Sequence, residues 1–109
     1  MDVASINALA ERQLATATTA ESGRSSVTVY ARSGARLRQT VVARVVGRVL
    51  AEHKSPGDAS VLCLRGRIVL RAGESHAELG PGDLVAVPPQ RHNIEAVEPS
   101  VMLLTVALH

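Results

Sequence analysis

The pattern of apolar and polar residues changes its period near residue 24. Before that point Ile6, Leu14 and several alanines recur at helical spacing, among residues that favour helix. The pattern predicts a helix over residues 4–22, with Ser5 as its N-cap and Gly23 as its stop. Because threonines dilute the apolar stripe, we expect this helix to pack on the rest of the chain or on a partner chain.

From residue 25 onward the period is two, as in β-strands with one buried face. Turn signals rich in Gly and Pro recur every eight to twelve residues, which is typical of a β-sandwich or barrel. The sequence therefore predicts a helical unit over 1–24 and a β-barrel over 25–109, with segment 37–46 at a sheet edge and a turn at 56–58. The predicted strands cover residues 25–31, 37–45, 49–55, 61–64, 67–70, 76–79, 84–87, 92–96 and 101–108.

Composition supports a sheet protein and limits its chemistry. Apolar residues make up 46% of the 109 residues, yet there is no Phe, no Trp and one Tyr, so the core must be aliphatic and rich in Val. The single cysteine, Cys63, lies in an apolar run and is expected to be a buried small hydrophobe without a disulfide.

The charge pattern excludes some partners. The net charge is only +2, and no aromatic set accompanies the arginines, so we expect no nucleic acid and interpret the arginines as solvated strand faces. No apolar run approaches membrane-spanning length and no leader is visible, which with one cysteine predicts a cytoplasmic protein without membrane contact. The arginines in question are Arg32, Arg36, Arg38, Arg44 and Arg48.

Two motifs suggest a family. The segment Gly47-x5-His53-x-Ser55-x3-Ala59-x6-Gly66 resembles the first cupin motif, Gly-x5-His-x-His-x3 or x4-Glu-x6-Gly. Ser55 stands where the family has its second histidine, and Ala59 stands where it has its glutamate. The spacing of the motif is retained, but two of its metal ligands are not.

The second cupin motif, Gly-x5-Pro-x-Gly-x2-His-x3-Asn, resembles the segment that starts at Gly82 and continues through Pro88 and Gln90 to His92. Gln90 replaces the glycine. The segment is one residue shorter, so His92 aligns only with a gap, and Asn93 aligns without one. The resemblance implies an all-β fold, the double-stranded β-helix or cupin jelly-roll barrel, with one N-terminal helix.

The resemblance also implies a metal site. In cupins two imidazoles, a carboxylate and a third imidazole bind a divalent Fe, Mn, Ni, Cu or Zn ion. His53 and His92 are the remaining candidate ligands, and Asp58, one residue before the glutamate position, is the candidate carboxylate. Each histidine could instead line the barrel and bond to a carbonyl group or water, and Asp58 could be a turn residue.

Three functions compete at this stage. The first is a non-catalytic or regulatory cupin that binds a small organic ligand, apolar or aromatic, in a pocket containing His53, Ser55, Gln90 and His92. The second is a divalent-metal enzyme of the dioxygenase, isomerase or cyclase type that uses His53 and His92. The third is a structural or interaction module. The resemblance further implies a homodimer.

Overall fold

The computed structural model describes the backbone of residues 1–53 and 57–108, and the side chains of residues 1–47 and 57–108. Within these described residues one helix precedes nine strands, which confirms the predicted fold class. The elements are α1 (Ile6–Thr19), β1 (Arg24–Tyr30), β2 (Leu37–Arg44), β3 (Gly47–His53), β4 (Gly57–Arg65), β5 (Ile68–Ala72), β6 (Ser75–Leu79), β7 (Leu84–Ala86), β8 (His92–Ala96) and β9 (Ser100–Leu108).

The strands form two antiparallel sheets that pack face to face. The larger sheet has the order β1-β2-β9-β4-β7, and the smaller sheet has the order β3-β8-β5-β6. Val61 and Met102 of the larger sheet and Ile68 and Ile94 of the smaller one share a single buried cluster. The space between the sheets is therefore an aliphatic core, which is the arrangement of a jelly-roll barrel.

Helix α1 covers the outer face of the larger sheet. Ala10 and Ala17 are completely buried against Val41 and Val101. The backbone N–H of Ala8 donates to the Ser5 side chain over 3.3 Å, so Ser5 is the N-cap, as the sequence predicts. No helix in the described part of the chain is long and apolar enough to cross a membrane.

The helix is shorter at its C-terminus than the sequence predicts. It ends at Thr19 because Ala20 adopts an extended conformation, and Gly23 forms a turn instead, with its N–H donating to the Ala20 carbonyl over 3.0 Å. The Thr16 and Thr18 hydroxyls donate back to carbonyls of the preceding turn, a bonding mode that weakens helix propagation.

Strand β2 lies inside its sheet, so the prediction of an edge strand over 37–46 is wrong. It pairs with β1 on one side and β9 on the other. Both of its faces are covered, because Val41 and Ala43 contact the helix cluster and Val42 packs against the core between the sheets. Burial of both faces explains why this segment is rich in Val without a clear polar face.

Strand β4 begins at Gly57, within the segment 56–58 where the sequence predicts a turn. A Cβ atom at Gly57 would lie 2.0 Å from the Ala107 carbonyl oxygen on β9. Glycine is thus required here by the close approach of two strand backbones rather than by a turn.

Cys63 is fully buried in the core, as predicted. Burial raises the pKa of its thiol, and a backbone hydrogen bond at Arg65 partly opposes that shift. The thiol also donates a weak hydrogen bond to the Arg65 carbonyl, 3.4 Å away. The thiol is therefore a packed core group with little nucleophilic character.

Candidate functional site

The pairing of β3 with β8 brings the two candidate histidines together along the backbone. His53 and His92 are directly opposite each other in this antiparallel pair. His92 is 2% exposed and lies on the same face of β8 as Ile94, which belongs to the core between the sheets. The face that carries His92 is therefore the interior face of the barrel.

The Nδ1 atom of His92 lies 3.0 Å from the Gln90 carbonyl oxygen. A carbonyl oxygen only accepts hydrogen bonds, so Nδ1 must carry the proton and donate it. In the neutral ring this leaves Nε2 as the basic nitrogen. The Gln90 residue thus fixes the tautomer of His92 through its backbone, whereas its side chain is exposed.

Of the two alignments of the second motif, the structure favours the one with a gap, which places His92 at the histidine position. His92 faces the interior, and Asn93 lies on the opposite face, where it pairs with Arg71 of β5. The shorter loop before β8 therefore places the imidazole, rather than the amide of Asn93, on the inner surface.

Ala59 occupies the glutamate position of the first motif and faces inward with a methyl group. It lies on the same inner face of β4 as Val61 and Cys63, two and four residues further along the strand. Its carbonyl accepts a hydrogen bond from the Val87 N–H over 2.9 Å. The motif's geometry is preserved at this position, but its carboxylate is missing.

The structure does not bring Asp58 to His92. Asp58 is exposed and lies three residues from Val61 on β4, hence on the outer face of the sheet. Ser55 and the side chain of His53 fall outside the described residues. Among the side chains that are described, no group of three His, Cys, Asp or Glu residues is placed to hold a metal ion.

The donors in the described part of the chain do not fit the cupin metal site. A catalytic metal usually has three protein ligands, whereas His92 is the one imidazole or carboxylate described on the inner faces of β4 and β8. The Ala59 side chain has no donor atom for a metal, and the Asp58 side chain lies on the outer face of its sheet.

A larger cavity among the described residues lies along β1, β2 and β9, on the face of the sheet opposite the helix. This groove has a volume of about 470 Å³ and is open at one side. Val42 and Leu104 form its floor and also pack against the core between the sheets. It is lined by Ser22, Arg24, Ser25, Ser26, Thr40, Val42 and Leu104.

Sequence reasoning did not find this groove, although one signal was present. Ser26 and Thr28 alternate with Val27 and Val29 along β1. The valines pack against the helix cluster, so Ser26 and Thr28 lie on the opposite face of the sheet, where both are exposed and Ser26 lines the groove. Alternation showed that β1 has a polar face, but it could not show that this face borders a groove.

A second cavity, of about 120 Å³, lies between β5, β6 and β7. Leu70, Ala72, Ala77, Val85 and Pro88 make most of its wall. Its volume is well below the range of ordinary ligand pockets, so the groove is the better candidate site.

Solved structures similar to this chain include several cupins, although no family model and no curated protein matches the sequence. A cupin superfamily protein from Desulfitobacterium hafniense has a TM-score of 0.71 and 22% identity, over 79% of this chain and 78% of that one. A cupin-2 domain protein from Shewanella frigidimarina has a TM-score of 0.65 and 14% identity, over 76% and 79%.

A transcriptional regulator of an HTH family from Vibrio cholerae has a TM-score of 0.65 and 18% identity, over 79% of this chain and 51% of that one. These likenesses agree with the fold of two antiparallel sheets. The resemblance that the motifs indicate is confirmed, and the chain has the cupin fold.

Proposed function

We propose that this small cupin binds a small organic ligand in the groove along β1, β2 and β9, without catalysing a reaction. The observation that carries the proposal is the groove itself, with hydroxyl groups on its walls and an aliphatic floor. A volume of about 470 Å³ is within the range of pockets that enclose small organic ligands.

The non-catalytic role is supported by the inner face near His92. Ala59 replaces a carboxylate there, and Asp58 lies on the other side of its sheet. The structural likeness to a transcriptional regulator from Vibrio cholerae favours a regulatory role, in which binding of the ligand is itself the signal.

A ligand screen with a blocked variant tests the proposal. Ligands that bind the native state raise the melting temperature by mass action. Ser26→Tyr places a bulky side chain in the groove, and Ser33→Tyr places the same side chain in the exposed β1–β2 loop. We expect ligand-induced shifts for the wild type and Ser33→Tyr, and none for Ser26→Tyr. Equal shifts in both variants would place the ligand elsewhere.

A divalent-metal enzyme of the dioxygenase, isomerase or cyclase type is the second candidate. The opposition of His53 and His92 across β3 and β8 favours it, because it would bring two imidazole-bearing residues to one point of the barrel. Elemental analysis of untagged protein, after growth with iron, manganese, nickel, copper and zinc, tests this candidate. One bound metal per chain that is lost in the His53→Ala, His92→Ala double variant would support it, and absence of metal would reject it.

We also propose that the chain forms homodimers. Strands β1 and β7 end the larger sheet, and Leu84 of β7 is largely exposed beside Leu62 on the outer face. An unpaired edge with an exposed apolar residue is a natural surface for a second copy. Sedimentation equilibrium should give twice the chain mass for the wild type and a smaller average mass for Leu84→Lys. A monomeric wild type would contradict the proposal.

A further inference from the structure

Two arginines lie side by side at one end of the groove. Arg24 of β1 and Arg44 of β2 are directly opposite each other in the antiparallel pair, so they share a face of the sheet. Like charges in this relation destabilise a sheet. A counter-charge is therefore expected nearby.

The described residues provide no such counter-charge. Their ion pairs join Arg67 to Glu78 and Arg71 to Glu95, on the other sheet. Among the described residues that line the groove there is no carboxylate. Arg24 is exposed at this end of the groove, so its positive charge is accessible to a bound species.

The guanidinium group of Arg44 is anchored beside the groove. Its Nη1 atom donates to the carbonyl of Ser22, a residue that also lines the groove. A Cβ atom at Gly47 would lie 3.2 Å from Nη2, and one at Gly23 would lie 3.8 Å from Nη1, so both glycines leave room for the guanidinium group. The Nε atom is buried and has no hydrogen-bond acceptor among the described residues.

We infer that the ligand of the groove carries an anionic group, a carboxylate or a phosphate monoester, that binds beside Arg24. Arg24 lines the groove and presents guanidinium donors that suit planar carboxylate and phosphate oxygens. The hydroxyl groups of Ser26 and Thr40 add neutral donors along the same wall. Arg44, whose guanidinium group donates to the Ser22 carbonyl, supplies a second positive charge next to the groove.

The opposite part of the groove defines the rest of the ligand. Val42 and Leu104 offer an aliphatic floor. An organic acid with a short apolar body would therefore bury its hydrocarbon part there while its anionic group faces Arg24. This inference rests on the proposed ligand-binding function and specifies the chemical class of the ligand.

Matched pairs of charged and uncharged compounds test the inference. Hexanoate is compared with hexanamide, benzoate with benzamide, and phenyl phosphate with phenol, by isothermal titration of the full chain. We expect at least one anion to bind tenfold or more tightly than its neutral partner, and the carboxylate and phosphate arms show which group is preferred. Backbone amide signals of Ser22 to Ser26 should shift in ¹⁵N NMR spectra on binding.

Charge-removal variants complete the test. Arg24→Gln should weaken anion binding about tenfold and leave the neutral partners unaffected, whereas Arg36→Gln, in the exposed β1–β2 loop, should change neither. If neutral and charged partners bind equally, or if Arg24→Gln has no effect, the anionic class is wrong while the groove remains a ligand site. If neither these compounds nor those of the broader thermal screen bind, both proposals fail.

Discussion

At the scale of single residues, Ser100 is the most completely bonded buried hydroxyl group among the described residues. It is 1% exposed, accepts from the Arg67 N–H over 3.0 Å, and lies within hydrogen-bond distance of the Glu98 and Arg67 carbonyls. It thereby joins the start of β9 to the turn before β5. The hydroxyl group thus supplies hydrogen bonds to backbone groups of two separate segments.

We predict that Ser100→Ala destabilises the chain by about 1–3 kcal/mol, because the Arg67 N–H loses its acceptor in a partly buried hydrogen bond. Urea unfolding followed by circular dichroism measures the change. Ser33→Ala in the exposed β1–β2 loop is the control and should change the free energy of unfolding by less than about 0.5 kcal/mol. Equal stability of the two variants would show that the Ser100 bonds contribute nothing.

Cys63 gives a prediction about alkaline pH. Burial raises the pKa of its thiol above the ordinary value of 9.0. Below that pH both the folded and the unfolded chain keep the proton, so the group has no effect on stability. Above it the unfolded thiol loses its proton first, so the unfolded state is favoured and stability falls until the pH passes the folded pKa.

The wild type should therefore lose more stability between pH 8 and pH 10.5 than Cys63→Ala, which has no thiol to titrate. The measurement is the free energy of unfolding in urea at each pH, with the variant's own curve correcting for all other groups. Parallel curves would mean that the pKa of the buried thiol is not raised.

At the scale of elements, two small residues and one polar contact position helix α1 closely on the sheet. Ala10 and Ala17 are completely buried and two turns apart, so they let the helix approach the sheet closely. Between them Gln13 accepts a hydrogen bond from the Ser25 hydroxyl group of β1. The alanines set the distance of the helix from the sheet, and the Gln13 contact fixes its register.

We predict that Ala10→Leu destabilises the chain by about 1–3 kcal/mol, because there is no space for a larger side chain between helix and sheet. Ala15→Leu, on the exposed side of the same helix, should be nearly neutral. Hydrogen exchange should show faster exchange in α1 for Ala10→Leu while β4 and β9 stay protected. Faster exchange throughout the barrel would show that the helix is an essential part of the core.

Much of this element order was predictable from the sequence, for a physical reason. Period-two alternation and Gly/Pro turns are local signals, and they located the strands to within a few residues. Strand neighbours are not local, so β2 was wrongly expected at an edge when β9, far along the chain, covers it. For the same reason the sequence could not reveal that Asp58 lies on the outer face of its sheet or that Ser26 lines a groove on the face opposite the helix.

At the scale of the whole molecule, β9 joins distant parts of the chain. It lies between β2 and β4 in the larger sheet and supplies Met102 to the core between the sheets. The surface on which α1 packs includes Val41 of β2 and Val101 of β9, so it is complete only after these two strands have paired. This order of dependence suggests that the barrel forms before the helix docks.

Folding kinetics of two variants test that order. β-Sandwiches with many long-range pairings fold in milliseconds to seconds, a range accessible to stopped-flow circular dichroism. Met102→Ala should cost about 2–5 kcal/mol and mainly slow folding, because its contacts form with the barrel. Leu9→Ala, where the helix packs on the sheet, should mainly accelerate unfolding. The opposite result would be slower folding of Leu9→Ala and an unchanged folding rate of Met102→Ala. It would mean that the helix and its sheet surface form first and that the core between the sheets packs afterwards.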